Sequence, residues 1–123
     1  MSVPILGIYR PANKDYFIEV AEATPANGQI HGGYGARFAP EGGMKSGLIG
    51  FYAWVNSAGN NSAPFVISFR GFSRPAGHVV LDQWNGFYRK DDTMLLTGTR
   101  AYVNEDGTSE SICLGTMLFA LIQ

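Results

Sequence analysis

The chain has 123 residues, of which 46% are hydrophobic and 15% are charged, with nine Lys and Arg against ten Asp and Glu. This length suits one domain with a buried core, and the low charge argues against disorder. A net charge of −1 offers no electrostatic footprint for nucleic acid or an anionic membrane, and no apolar run reaches the ~18 residues of a spanning helix. We therefore predict a single domain over residues 1–123, with neither nucleic acid nor a membrane as its partner.

Eight short apolar segments, each ended by turn residues, occupy almost the whole chain. They are predicted as strands over residues 5–10, 16–21, 29–38, 47–55, 64–72, 78–89, 93–103 and 110–122. No stretch keeps an apolar face at helical spacing, so no substantial helix is predicted. Strands of this length with short connections indicate an all-β, eight-stranded antiparallel up-and-down β-barrel. Such a barrel has room for packed side chains or for one small ligand.

Two connections carry hairpin signals. Between the second and third strands, Asn27-Gly28 tolerates the positive φ of a type I′ turn. Between the seventh and eighth strands, a second hairpin turn is predicted at 104–107, which ends in Asp106-Gly107. The connection over residues 56–63 is rich in Asn, Ser and Gly, which predicts the most mobile loop of the chain.

The N-terminus and the single cysteine bear on the compartment. The opening MSVPILGIYR has neither the basic start nor the apolar length of a secretory signal, which predicts a cytoplasmic protein, or a secreted one whose signal was already removed. Cys113 is the one cysteine, so an intrachain disulfide is excluded. Its apolar neighbours predict a small core residue.

Several strand segments also follow a recognisable order. They read GIYRPANKDYFIEV, ANGQIHGGYGARF, LIGFYAW, LDQWNGFY, TMLLTGT and SICLGTMLF. In this order the chain resembles the avidin and streptavidin family over nearly its whole length. The family's ligand-contacting tyrosine falls on Tyr34, and its Trp-x-Gly-x-Tyr pattern falls on Trp84, Gly86 and Tyr88. The resemblance implies an eight-stranded barrel that binds a small ligand.

The positions that hold the ureido group of biotin in that family differ here. The family's Trp-x-Asn-x-x-x-Ser opening falls on Tyr9, Pro11 and Asp15, and its late aspartate falls on Met117. An ionised Asp15 can only accept hydrogen bonds and Pro11 has no N–H, so the ureido oxygen loses its donors. Met117 removes an acceptor, which leaves a ureido N–H unsatisfied at a cost of roughly 1–3 kcal/mol.

The aromatic cage of the family is also changed. Its tryptophans fall on Phe69, Trp84 and Met94, and one lent by a neighbouring subunit falls on Ser109. Together with the lost ureido contacts, these changes lead us to expect weak or absent biotin binding.

The resemblance and the strand alternation together suggest an inward-facing set of mostly apolar and aromatic side chains. It comprises Tyr9, Asp15, Phe17, Tyr34, Ile67, Phe69, Val80, Asp82, Trp84, Met94, Leu96, Met117 and Phe119. The residues predicted to bind a ligand are Asp15, Tyr34, Phe69, Asp82, Trp84, Met94, Leu96 and Met117. Two carboxylates among stacking aromatics favour a ligand with N–H groups or a cation.

Structural interpretations of the same residues stand beside this one. Asp15 suits a solvated turn, and Asp82 faces solvent if the strand phase is shifted by one residue. Trp84 and Tyr34 suit simple core packing.

Two other functions are consistent with the sequence. A small barrel enzyme could use Asp15 or Asp82 with Tyr34 as acid–base groups, although no nucleophile–base pattern is present. Alternatively, a fully packed barrel could act only as an interaction or structural protein. No Cys, His or carboxylate cluster has metal-ligand spacing, and no cofactor is predicted.

The resemblance also implies a homo-oligomer, because members of the family form dimers or tetramers by packing barrel faces. Apolar residues predicted to face outward on the last strand suit such a contact: Ile112, Leu114, Leu118 and Ala120. Ser109 at the position of the lent tryptophan favours a dimer over a tetramer.

Overall fold

A computed structural model describes residues 4–37, 44–53 and 63–122. Its strands are β1 Gly7–Arg10, β2 Tyr16–Thr24, β3 Gln29–Ala36, β4 Met44–Ala53, β5 Phe65–Ser73, β6 Val79–Tyr88, β7 Met94–Val103 and β8 Ser109–Ile122. The one helical element of the described residues is the 3₁₀ turn Pro75–Gly77. The strands pair in chain order, and β1 pairs with β8 to close the barrel. The predicted eight-stranded antiparallel up-and-down barrel is confirmed.

No helix in the described part of the chain is long and apolar enough to cross a membrane.

The core is the interior of the barrel, and strand alternation decides which side chains enter it. On β5, for example, Phe65, Ile67 and Phe69 are buried, whereas Val66 and Arg70 are exposed. The buried set is largely aromatic and branched aliphatic, residue types that pack well on a pleated surface. Its fully buried large side chains are Trp84, Tyr9, Tyr34, Tyr52, Tyr88, Phe69, Phe119, Ile18, Ile30, Met94, Leu96 and Val20.

The two ends of the barrel differ. One end, here called the mouth, carries the β1–β2, β5–β6 and β7–β8 connections, and several inner side chains there are half-exposed. At the other end, the base, the N-terminal segment forms hydrogen bonds with the barrel wall. The Tyr9 hydroxyl donates to the Ile5 carbonyl (2.5 Å), and the Ile5 N–H donates to the Tyr88 hydroxyl (3.2 Å). Tyr88 in turn donates to Asp92 (3.1 Å).

The first hairpin differs from the type I′ prediction. Thr24 and Gln29 are the last paired residues, so the loop has four residues, 25–28, and the N–H of Gly28 donates to the carbonyl of Thr24 at 2.8 Å. Pro25 has no N–H with which to extend the ladder, which opens the loop earlier than the Asn-Gly signal suggests. Only Gly28 takes the positive φ, at 73°.

A bulge in the β7–β8 ladder changes which residues of β8 face the core. Gly98 pairs with Gly115 but Thr99 pairs with Cys113, so Leu114 is an extra residue on β8. Cys113 is exposed on the outer wall, and its predicted core position is wrong.

Some strand limits also shift. β4 begins at Met44, earlier than predicted, and β1 begins only at Gly7. The predicted ends of the third and fourth strands and most of the loop predicted over 56–63 fall within 38–43 and 54–62, outside the described residues.

Candidate functional site

A buried ion pair lies in the mouth-side half of the interior. Asp82 on β6 and Arg100 on β7 are directly opposite each other, and their side chains are 0% and 7% exposed. Arg100 Nε donates to Asp82 Oδ1 at 2.7 Å, and Nη2 donates to Oδ2 at 2.8 Å. These two parallel bonds are the fork geometry in which a guanidinium binds a carboxylate most strongly.

Two aromatic side chains, Tyr34 and Trp84, join this pair by hydrogen bonds. The four residues are called the Asp82 cluster below. The Tyr34 hydroxyl donates to Asp82 Oδ2 at 2.7 Å, and the Trp84 indole N–H donates to the Tyr34 oxygen at 2.9 Å. The carboxylate of Asp82 therefore accepts three hydrogen bonds from its own chain. Full satisfaction of this kind is what makes a buried charge tolerable.

Two glycines, Gly71 on β5 and Gly98 on β7, create the space for the two rings. A Cβ on Gly71 would lie 2.4 Å from the Tyr34 ring, and one on Gly98 would lie 2.6 Å from the Trp84 ring. Each ring therefore packs closely against the backbone at a glycine. Trp84 is further held by edge contacts with Tyr16 and Phe119, whose ring centroids are 5.0 and 5.1 Å away.

Burial sets the protonation of the cluster. It raises the pKa of Tyr34 far above its usual value, and the charge of Asp82 raises it further. Burial lowers the pKa of Arg100, but hydrogen bonding and attraction to Asp82 outweigh burial and leave the pKa raised. Tyr34 is thus a neutral hydrogen-bond donor and Arg100 a permanent cation across the physiological range.

Six of the predicted ligand-binding residues lie together inside the barrel and are buried, namely Tyr34, Phe69, Asp82, Trp84, Met94 and Leu96. Asp82 faces inward, so the one-residue phase shift does not occur. Met94 lies nearer the base, opposite Tyr88.

Of the other two predicted site residues, Asp15 lies at the mouth, and Met117 lies on β8 opposite Leu96 and packs against the core. The side chain of Asp15 is 34% exposed and forms an ion pair with the exposed Arg37 at 3.4 Å. Met117 is half-buried, with its sulfur 3.9 Å from the side-chain nitrogen of Asn13. Neither touches the Asp82 cluster by any contact found among the described residues.

The predicted inward position of Phe17 is wrong. Ile18 and Val20 face the core, and Phe17 lies on the outer wall, where its ring covers Gly35. The Arg10 guanidinium lies 5.5 Å from the centroid of that ring. Gly35 has no side chain, so the outer surface accommodates the ring.

Arg100 is the residue of this cluster that the sequence interpretation missed. Alternation on β7 places Arg100 on the same face as Leu96, so the pattern contained the signal. A charged side chain at an inward position requires a buried counter-charge, and Asp82 is that counter-charge. The predicted role of Asp82 toward a ligand cation is thus taken by a cation of the chain itself.

The cavities lined by described residues include one at the mouth. It has a volume of about 400 Å³ and is lined by Lys14, Asp15, Tyr16, Phe17, Gly35, Ala36, Arg37, Met44 and Lys45. Because Phe17 and Gly35 lie on the outer wall, this cavity opens at the outer edge of the mouth, and four of its nine lining residues are charged. Within the described ranges, no group of three or more His, Cys, Asp or Glu could hold a metal ion.

Comparisons with protein-family models, with curated proteins and with solved structures find no match to this chain.

Proposed function

We propose that this protein is a non-catalytic binding barrel of the avidin and streptavidin type, which takes a small ligand at its mouth and binds biotin weakly or not at all. The observation that carries the proposal is the closed eight-stranded up-and-down barrel with Tyr34 and Trp84 buried beneath the mouth. These two residues are among those that the resemblance assigns to ligand contact. The cavity at the edge of the mouth, to which Tyr16 and Phe17 contribute, offers aromatic contacts to a small molecule.

The expected loss of biotin binding has two physical supports. Asp15 and Pro11 give a ureido oxygen no side-chain donor, and Met117 gives a ureido N–H no strong acceptor. In addition, the Arg100 side chain and the rings of Tyr34 and Trp84 are buried in the mouth-side half of the interior. A bicyclic ligand entering there has to displace packed side chains, which costs several kcal/mol.

Calorimetric titration with biotin, followed in parallel by tryptophan fluorescence, tests this proposal. We expect no heat and no fluorescence change at high micromolar biotin. Nanomolar binding would show that the ureido contacts come from residues other than those the resemblance assigns. Titration of biotin into a tryptophan model compound, without the protein, is the control for absorbance effects on the fluorescence signal.

A catalytic role has little chemical support from the cluster. A general base has to be free to take a proton, yet the carboxylate of Asp82 already accepts three hydrogen bonds. A general acid needs a pKa near the working pH, and burial raises that of Tyr34 away from it.

The second candidate function, an assembly or interaction protein, is favoured by the outer wall. An outward-facing apolar row crosses four neighbouring strands at directly paired positions: Val66, Phe87, Leu95 and Leu118. Val66, Phe87 and Leu118 are 61%, 40% and 43% exposed. Of the residues predicted for a subunit contact, Leu118 and Ala120 are exposed on this wall. Leu114 packs against the core, and Ile112 lies opposite the inward Arg100.

We propose that this apolar row mediates a homodimer. Light scattering at micromolar concentration should give the mass of a dimer, and Leu118→Lys should raise the dimer dissociation constant at least tenfold by placing charge in an apolar contact. His31→Lys, on the exposed outer face of β3, is the matched control and should leave the mass unchanged. A monomeric wild type would contradict the proposal.

A further inference from the structure

The Asp82 cluster has the composition of a guanidinium-binding site. One carboxylate receives two parallel N–H bonds at 2.7 and 2.8 Å, and a tyrosine hydroxyl at 2.7 Å orients the same carboxylate. The planar fork of a guanidinium or amidinium matches this geometry, whereas a compact ammonium does not.

The three residues around Arg100 are positioned by contacts that do not involve Arg100. The Tyr34 ring rests on Gly71, and the Trp84 ring rests on Gly98 between Tyr16 and Phe119. Trp84 donates to Tyr34, and Tyr34 donates to Asp82. The Asp82 carboxylate and the two rings beside it are therefore held in place by packing and by the hydrogen bonds from Trp84 to Tyr34 and from Tyr34 to Asp82.

Arg100 also lies one inward position below the mouth end of β7. The next inward position on β7 is Tyr102, which is half-exposed at the mouth, and Ile112, directly opposite Arg100 on β8, is 39% exposed. Truncation of the Arg100 side chain is thus expected to leave a space beside Asp82, next to the half-exposed Tyr102 and Ile112.

We propose that Tyr34, Asp82 and Trp84 form a binding site for a guanidinium or amidinium group, and that Arg100 is its resident, intramolecular ligand. The resident guanidinium determines specificity because it excludes other cations from the interior. Because the Arg100 guanidinium is covalently attached to the chain, its effective concentration at Asp82 exceeds that of a free ion at millimolar concentration. Ligand binding in the wild type is thereby confined to the mouth.

The test is chemical rescue of Arg100→Ala by acetamidinium. The variant should have a lower Tm than the wild type, because a buried carboxylate loses its counter-charge. Millimolar acetamidinium should raise the Tm of the variant saturably, by roughly 5 °C or more. Tetramethylammonium, which has no N–H donor, is the matched control ion and should give no saturable rise.

Two further proteins distinguish binding of acetamidinium at this site from its non-specific effects on protein stability. The wild type should not be stabilised by acetamidinium, because Arg100 fills the site. The double variant Arg100→Ala/Asp82→Asn should not respond either, since it lacks the carboxylate. If Arg100→Ala does not fold alone, acetamidinium should restore its near-ultraviolet circular dichroism during refolding.

The proposal is overturned if acetamidinium neither stabilises nor refolds Arg100→Ala, or if it stabilises the wild type or the double variant equally well. The biotin titration does not decide between these outcomes, because the rescue reports on the Asp82 cluster alone.

Discussion

Gly98 shows how one missing side chain shapes the interior. A Cβ at this position would lie 2.6–2.7 Å from three atoms of the Trp84 ring. That ring cannot retreat, because Tyr16 and Phe119 contact it edge-on. The close contact between indole and backbone therefore depends on glycine.

We predict that Gly98→Ala lowers the free energy of unfolding by about 1–3 kcal/mol through overpacking. Gly47→Ala is the matched control, because Gly47 lies in β4 and, chain neighbours aside, no atom of the described residues lies within 4 Å of the added Cβ. Its effect should stay within about 0.5 kcal/mol. Urea denaturation of both variants measures the difference, and equal midpoints would mean that the Trp84 ring can move aside.

The buried pair of Asp82 and Arg100 illustrates a different cost. Each charge is tolerated only because the other is present, so removal of one partner is expected to destabilise more than removal of both. The exposed pair of Asp15 and Arg37 is spaced at 3.4 Å and partly solvated, so it contributes at most about 1 kcal/mol.

Among the strands, β1 is the weakest part of the barrel wall. It spans only Gly7–Arg10, and it joins β2 through Gly7–Tyr9 and β8 through Ile8–Arg10. By contrast, β6 and β7 pair along their full lengths. Closure of the barrel therefore depends on its shortest strand and on the tyrosine contacts at the base.

We predict that amide hydrogens of β1 exchange through local opening, at a lower free energy than those of β6 and β7. Native-state hydrogen exchange followed by NMR measures this, with the amides of Ile8 and Trp84 as the pair to compare. Tyr9→Phe removes the hydroxyl bond to Ile5 and should speed exchange at Ile8 further. Identical exchange free energies for both amides in the wild type would show that the barrel opens only as a whole.

The bulge on β8 is an element-level feature with local consequences. Gly115 has a φ of 98°, a conformation that side-chain-bearing residues rarely adopt, and it lies where the β7–β8 register shifts. The shift turns Cys113 to the outer wall and leaves Leu114 as the extra residue, packed against the core.

At the scale of the whole molecule, burial raises the pKa of several tyrosine hydroxyls. Burial raises the pKa of Tyr9, Tyr34, Tyr52 and Tyr88, and Tyr9 is further affected by its hydrogen bond with Tyr88. In the unfolded chain the same groups ionise near pH 10. The folded state therefore keeps protons that the unfolded chain releases.

We predict that stability is maintained below about pH 10 and falls as the pH rises above it. Above that pH, each tyrosine that ionises only in the unfolded chain lowers the free energy of unfolding by about 1.4 kcal/mol per pH unit. Urea denaturation at a series of alkaline pH values, with tyrosinate absorbance to follow ionisation, measures the slope. Tyr9→Phe should make the slope shallower, and gradual tyrosinate formation without unfolding would contradict the prediction.

The sequence by itself determined the local features of this protein. Turn residues delimit eight strands, and period-two alternation places Phe69, Trp84 and Leu96 in the core, because both signals depend only on near neighbours along the chain. The same alternation also placed Asp82 inside.

Only the tertiary structure decided how the inward residues are partnered. The register of β6 against β7 sets Arg100 opposite Asp82, and the bulge on β8 turns Cys113 outward. On β2, the phase that buries Ile18 leaves Phe17 to cover Gly35 on the outer wall. Register and bulges are set by contacts between paired strands and not by the residue pattern along a single strand, and a one-residue change in either reverses which face a side chain occupies.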